Sequence, residues 1–323
     1  MATSVSQGHG VCFIDPHGTD TDALIPHLDA TDIKYQLLDL STSRWNPLAE
    51  PVHSALSAKT FSSGIKDGSG YYGQSTPVMD MYLFFVSLSL IYNSQNLTDT
   101  VSLLQDETYR TGLEFRDKVL EQFWCAYEEL NTKDRRAESA STLNKLFGLL
   151  GDPRVFKFFK TNKKTFSLAK VLDDTVLLVR LPIHEYGEDT VKIVGSLIIS
   201  YLNQLILARN TQQPYDLYLD EGHMFAPGAL QSILSGSKKF GLSLTFVHQY
   251  IDQVEKSLFS ALMGNCPERF VFRVSQEDAE VLKSYMPPMT SKRGLEELLP
   301  YTYRRFPFYE GDPDKITTPL ESI

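Results

Sequence analysis

The chain has no long apolar run, few cysteines and no surplus of positive charge, and each lack removes a class of protein. Its longest apolar stretch, residues 79–92, is too short to span a bilayer and contains Asp80 and two serines. It is expected as a buried helix. No basic flank followed by an apolar run stands near Met1, so no secretory signal is expected. The three cysteines, Cys12, Cys125 and Cys266, lack metal-ligand spacing and are expected as reduced thiols of a cytoplasmic protein. With 31 basic against 40 acidic residues the net charge is −9, which excludes a broad basic face. Any nucleic-acid contact must come from local clusters, such as loops lining a pore. Nor does the sequence contain GxxxxGK[ST], the loop whose backbone N–H groups and lysine cradle a triphosphate. What remains is a globular chain of 323 residues, 42% hydrophobic, enough for one large or two ordinary domains.

The most informative stretch is residues 215–223, YDLYLDEGH. A short apolar run ends in two adjacent carboxylates, Asp220 and Glu221. Strands buried in a parallel sheet read as such runs, and ligands bind beyond their carboxyl ends. Two acids there suit a nucleotide site: Asp220 would hold Mg²⁺ through water, and Glu221 would take a proton from an attacking water. A solvated acidic turn is the alternative for this motif alone.

Other strands support the first reading. Residues 11–14 form an apolar run stopped by Asp15-Pro16-His17-Gly18, since proline cannot donate to a ladder. The seven residues before Gly8 look like the end of a helix, as though a strand–helix unit were missing ahead of Met1. Further strands are predicted at 35–40, 175–181, 242–247 and 269–274, with helices at 20–28, 191–209, 230–240, 258–263 and 277–285. This alternation predicts an α/β protein with a mostly parallel, doubly wound sheet. Residues 61–76, rich in Gly, Ser and Tyr, are expected as a loop. After it come helices at 79–92, 98–104, 111–130 and 135–150, with Thr98 and Asp134 as N-caps. The basic segment 154–164, with Phe156, Phe158 and Phe159 interleaved, closes this helical block. It either touches DNA or exposes lysines around a phenylalanine core. The expected domains are a core over 1–60 and 165–310, an all-helical insertion over 61–164 and a tail over 311–323.

Asp15, Asp220-Glu221 and Gln249 then fall at strand ends pointing one way, along one crevice of the sheet. Gln249 could contact the attacking water or the terminal phosphate. His9, His17, His223 and His248 also fall at motif ends, but no pair has i,i+4 spacing and no acid or cysteine completes a tetrahedral set. They are expected as turn residues. His17 and His223 are the two placed for phosphate or water contact.

GHGVCFIDPHG, YLDEGHMFA, SKKFGLSLTFVHQY and ERFVFRVSQEDAEVL together resemble the HerA–FtsK superfamily of DNA-pumping ATPases, most of all its conjugative coupling-protein branch in type IV secretion. The resemblance spans residues 8 to about 306. It implies a RecA-like P-loop core, a hexameric ring threading DNA, and ATP–Mg²⁺ sites between subunits. By resemblance Asp220 is the magnesium-side acid, Glu221 the base, Gln249 the sensor, and Asp15 lies near the phosphates or the attacking water. Relaxosome or secretion-channel proteins become candidate partners.

Two departures qualify it. The family's P-loop precedes the GHG turn, and no such loop is present. Either Met1 is internal to a longer gene, in which case a membrane anchor could also lie upstream, or the chain is a non-hydrolysing adaptor that joins rings or recruits partners. The missing strand–helix unit favours the first. Secondly, Lys238-Lys239-Phe240-Gly241 stands where the family commonly has Arg-Lys-Tyr-Gly, and Lys238 lacks the bidentate fork of a trans-acting arginine. Arg273 or Arg269 could supply that charge, or Arg273 could pair with Asp278 or Glu280 instead.

Overall fold

The computed structural model describes residues 1–161, 165–172, 176–286, 294–307 and 316–317. Lys163 and Lys164 of the basic segment, and nearly all of the expected tail, lie outside them. The chain divides into two compact units, Met1–Val247 and His248–Ile323.

The first unit is built on five parallel strands in the order β2-β3-β1-β4-β5. They are β1 (Gly10–Asp15), β2 (Tyr35–Asp39), β3 (Val176–Arg180), β4 (Tyr215–Leu219) and β5 (Leu242–Phe246). Central position and composition agree: every β1 and β3 residue is buried except Phe13 and Arg180, which are partly so. Side chains alternate between faces. Val11, Val176 and Leu178 pack with Leu28 of helix α2, while Cys12, Ile14, Leu177 and Val179, on the other face, are all 0% exposed. Helix α1 (Ala2–Ser6) adds Val5 to the first face, and α2 (Thr19–Ala30) follows β1.

Between β2 and β3 the chain makes helices α3 (Ser54–Gly68), α4 (Pro77–Tyr92), α5 (Thr100–Gln105), α6 (Glu107–Thr111), α7 (Lys118–Glu129), α8 (Thr132–Leu150) and α9 (Pro153–Phe159). Two expectations are corrected here. Much of the Gly/Ser-rich stretch expected as loop is helix α3. Its small residues allow close packing on helix α11 (Glu188–Ala208): a Cβ on Gly68 would lie 2.4 Å from the Ile193 Cα. The N-caps also move. Asn131, not Asp134, caps α8 by accepting from the N–H groups of Lys133 and Asp134, and Asp99, not Thr98, precedes α5. In α9, Phe158 and Phe159 are 0% exposed while Arg154, Lys157 and Lys160 face solvent, so the aromatics there are core. Helix α10 (Ile183–Tyr186) precedes α11, and α12 (Pro227–Gly236) links β4 to β5. Among the described residues one helix, Glu188–Ala208, is long and apolar enough to cross a membrane, and 78% of its apolar window is buried inside the fold.

The second unit holds α13 (Lys256–Asn265), β6 (Glu268–Val271), α14 (Gln276–Lys283), β7 (Tyr303–Pro307) and β8 (Ile316–Thr317). The strand expected at 269–274 is not a member of the parallel sheet. As β6 it pairs antiparallel with β7 in a separate three-stranded sheet, β6-β7-β8.

Candidate functional site

The strand order fixes where a ligand would sit. After β1 the chain passes beyond β3 to β2, whereas after β4 it turns the other way, to β5. Connections that part in opposite directions leave a crevice at the carboxyl ends between β1 and β4. Asp15 ends β1 and Asp220-Glu221 follow β4, so both expected acidic positions lie on that crevice. The Asp220 N–H donates to the Ile14 carbonyl at 3.1 Å, holding the two strand ends together.

Asp15 is 0% exposed. One carboxylate oxygen accepts from the N–H groups of His17 (2.8 Å) and Gly18 (2.7 Å), the other from Thr21 (2.8 Å). Its charge therefore caps the start of α2 and shapes the DPHG turn. Gly18 serves the same turn, with φ of 81° and the Arg180 guanidinium packed beneath it. This turn presents the exposed His17 at its tip.

Asp220 is half-buried, and burial, then Glu221, Asp20 and Asp15, push its carboxyl above the usual range. A half-open carboxylate amid other acids suits a hydrated divalent cation. Glu221 is 7% exposed and adopts the left-handed region, φ 46° and ψ 45°, a sparsely populated state for a side chain of this size. The next peptide is held by its Gly222 N–H donating to Val247 O at 2.9 Å. His223 Nδ1 lies 3.3 Å from Glu221 Oε2. Strained backbone of this kind concentrates at functional sites.

The remaining candidates are placed as follows. His9 Nδ1 meets Asp216 Oδ2 at 2.9 Å, away from the carboxyl edge. Lys238 is exposed, on the short turn of helix Ser237–Phe240. Gln249 follows the end of β5 by three residues and belongs to the second unit, exposed, its N–H donating to Gln253 at 3.2 Å. His248 Nδ1 sits 3.2 Å from the Tyr250 carbonyl. Arg269 is committed to the carbonyls of Tyr285 and Met263. Arg273 is exposed; the Asp278 N–H donates to Ser275 Oγ at 3.1 Å, its carboxylate accepts from the Ile251 N–H at 3.4 Å, and Glu280 pairs with Lys283. Among the described residues no group of three or more His, Cys, Asp or Glu is arranged to enclose a metal ion.

One edge residue went unread in the sequence. Arg180, at the end of β3 beside Asp15, pairs with Asp22 at 3.0 Å and with Asp39 at 3.1 Å. Burial opposes ionisation of Asp39, yet hydrogen bonds from Ser41 and the Arg180 guanidinium hold its carboxyl below the usual range. A cation ending an apolar strand, VLLVR, was the available signal.

No protein-family model matches the chain, and no curated protein matches it in sequence. Solved structures do match in shape. The plasmid coupling protein TrwB in complex with ADP and Mg²⁺ aligns with a TM-score of 0.66 at 14% identity, covering 99% of this chain and 80% of that one. TrwB with the non-hydrolysable GTP analogue GDPNP gives the same values. VirB4 of Thermoanaerobacter pseudethanolicus aligns at 0.64 with 15% identity, covering 98% of this chain and 84% of its own. The chain is an α/β protein with the RecA-like core fold of the coupling protein TrwB and of VirB4.

Proposed function

We propose that this chain carries the acidic half of a nucleoside-triphosphate site in a DNA-translocating ATPase of coupling-protein type, working in a ring of like subunits. The observation that carries the reading is Asp220-Glu221 at the switch-point crevice, on a fold shared with TrwB, whose structure is known in complex with ADP and Mg²⁺. In this role Glu221, buried and fixed in direction by its left-handed backbone, accepts the proton of an attacking water. Asp220 holds Mg²⁺ through water, and the ion supplies charge neutralisation at the phosphates. Asp15 holds the DPHG turn in place, and His17 and His223 flank the crevice for phosphate or water contact. Arg273 or Lys238 serves a neighbouring subunit's site.

The residues present fit the cation and the water but furnish no cradle for a triphosphate, since the sequence lacks GxxxxGK[ST]. The reading therefore assigns that loop to sequence ahead of Met1. The coding DNA upstream decides: an in-frame strand, P-loop and helix supports the reading, whereas a stop codon directly upstream sinks it. The same missing loop favours a second reading, a non-hydrolysing adaptor that joins rings of active relatives or recruits DNA-processing proteins. Calorimetric titration of the protein translated from an in-frame start upstream of Met1 separates them, because micromolar affinity for ATP with Mg²⁺ is incompatible with an inert adaptor.

A further inference from the structure

The segment that carries Glu221 is fastened to the rest of the first unit at both ends. Between Glu221 and the start of α12 lie two non-glycine residues in the left-handed region, Glu221 at φ 46° and Ala226 at φ 30°. Such residues persist only where their surroundings over-determine them. For Ala226 the surroundings are visible. Its N–H donates to Ser196 Oγ of α11 at 2.9 Å, with Ser196 0% exposed. The neighbouring Phe225 ring fills a notch at Gly195, where an added Cβ would come within 2.3 Å of the ring. Two residues on, the Gly228 N–H donates to Asp67 Oδ2 of α3 at 3.1 Å, and the Tyr72 ring packs against the Gly228 Cα.

Asp67 is thus an N-terminal cap for α12 supplied by a different helix, the first of the helical block. α3 in turn lies on α11 through Gly64 and Gly68. The backbone from Glu221 to Gly228 therefore bridges the sheet edge at Gly222 and the α3–α11 pair at Ala226 and Gly228. A shift of α3 along α11 changes the spacing between the Gly228 and Ala226 anchors, and Glu221 stands at the other end of that segment.

We infer that Asp67 and Ser196 are positioning residues for Glu221, coupling the helical block to the acid pair through Gly228 and Ala226. This rests on Glu221 being the base proposed above, but its test reads only where Glu221 sits. The His223 imidazole, 3.3 Å from the Glu221 carboxylate, is the reporter. Its titration midpoint is measured by NMR on the intact chain with labelled histidines, assigned through His223→Gln. An opposite charge held this close favours the imidazolium. Removing an anchor lets Glu221 move away, so Asp67→Ala and Ser196→Ala each lower the midpoint by about one unit. Asp67→Asn keeps an acceptor for Gly228 and leaves the midpoint in place. An unchanged midpoint in folded Asp67→Ala, or an equal drop in Asp67→Asn, overturns the inference. Should Asp67→Ala fail to fold, Ser196→Ala decides alone, its midpoint falling if the inference holds and staying if it does not. Neither outcome depends on whether nucleotide is hydrolysed, so this inference and the proposed function fail separately.

Discussion

The indole N–H of Trp45 donates to the carboxylate of Glu50 at 2.9 Å, and that contact closes the neck of the helical block. Glu50, 5% exposed, also accepts from Ser167 Oγ and from the N–H groups of Leu168 and Ala169. The chain running into the block and the chain running out of it are therefore tied to one buried carboxylate. Trp45 and Phe166 form a bridge beside it, and the Trp45 N–H donates to Phe158 O.

Glu50→Ala strands buried donors on both sides of that neck. A loss of about 3 kcal/mol in unfolding free energy is expected. Urea titration followed by tryptophan fluorescence measures it, and a loss within error of an exposed-site alanine control would show that the neck is held by packing alone.

Inside the block the comparable residue is Arg110, 3% exposed. It pairs with Glu128 at 2.6 Å, donates to Leu103 O and lies over the Tyr127 ring at 5.2 Å. Arg110→Ala removes the buried hydrogen bond to Leu103 O and the packing on the Tyr127 ring, while the part-exposed Glu128 keeps Arg135 at 2.9 Å, so a loss of about 2 kcal/mol is expected. Arg110→Lys should recover little, because lysine lacks the fork and the planar face. Thermal unfolding of both variants checks this.

Asp67 gives a pH signature. Burial pushes its carboxyl up to about 6, against the N–H groups of Gly228 and Ala229 and the charge of Lys66, which act the other way. A folded value raised above the unfolded one means a contribution that is full below the unfolded value and lost as pH rises through the folded one. The wild type should therefore lose about 2 kcal/mol relative to Asp67→Asn between about pH 4 and pH 7.5. Chemical unfolding across that range is the measurement, and parallel curves would contradict it.

At Asp220 the sign is the same, since burial and its acidic neighbours raise its carboxyl. Asp220→Asn should raise the melting temperature at neutral pH, with the gain shrinking as the solution is acidified. Mg²⁺ should stabilise the wild type and leave the variant unmoved. A magnesium shift of equal size in both would remove Asp220 from the cation's surroundings.

Much of this was legible in the sequence because the parallel strands are apolar runs with abrupt polar ends, and Asp15 and Asp220 mark two of those ends. The crevice followed from their shared direction. Helix α3 was not legible, because its short apolar stripe, Ala58, Phe61 and Ile65, is interleaved with the small contact residues Ser57, Gly64 and Gly68. Direction in β6 was not legible either: a short apolar run carries no record of which strand it joins or which way that partner points. Arg180 is marked in the sequence only as a cation ending an apolar strand, and its partners Asp22 and Asp39 lie far from it along the chain. What Asp15 touches needed coordinates, since its three donors are all backbone groups of a turn.

Hydrolysis measures directly whether Glu221, proposed as the base of a nucleotide site, takes the proton of the attacking water. Phosphate release from ATP is measured with Mg²⁺ and DNA for wild type and Glu221→Gln, in the protein translated from an in-frame start upstream of Met1. The variant is expected to bind ATP as tightly as wild type and to lose turnover by on the order of a hundredfold or more. Turnover near the wild-type rate in Glu221→Gln would contradict it.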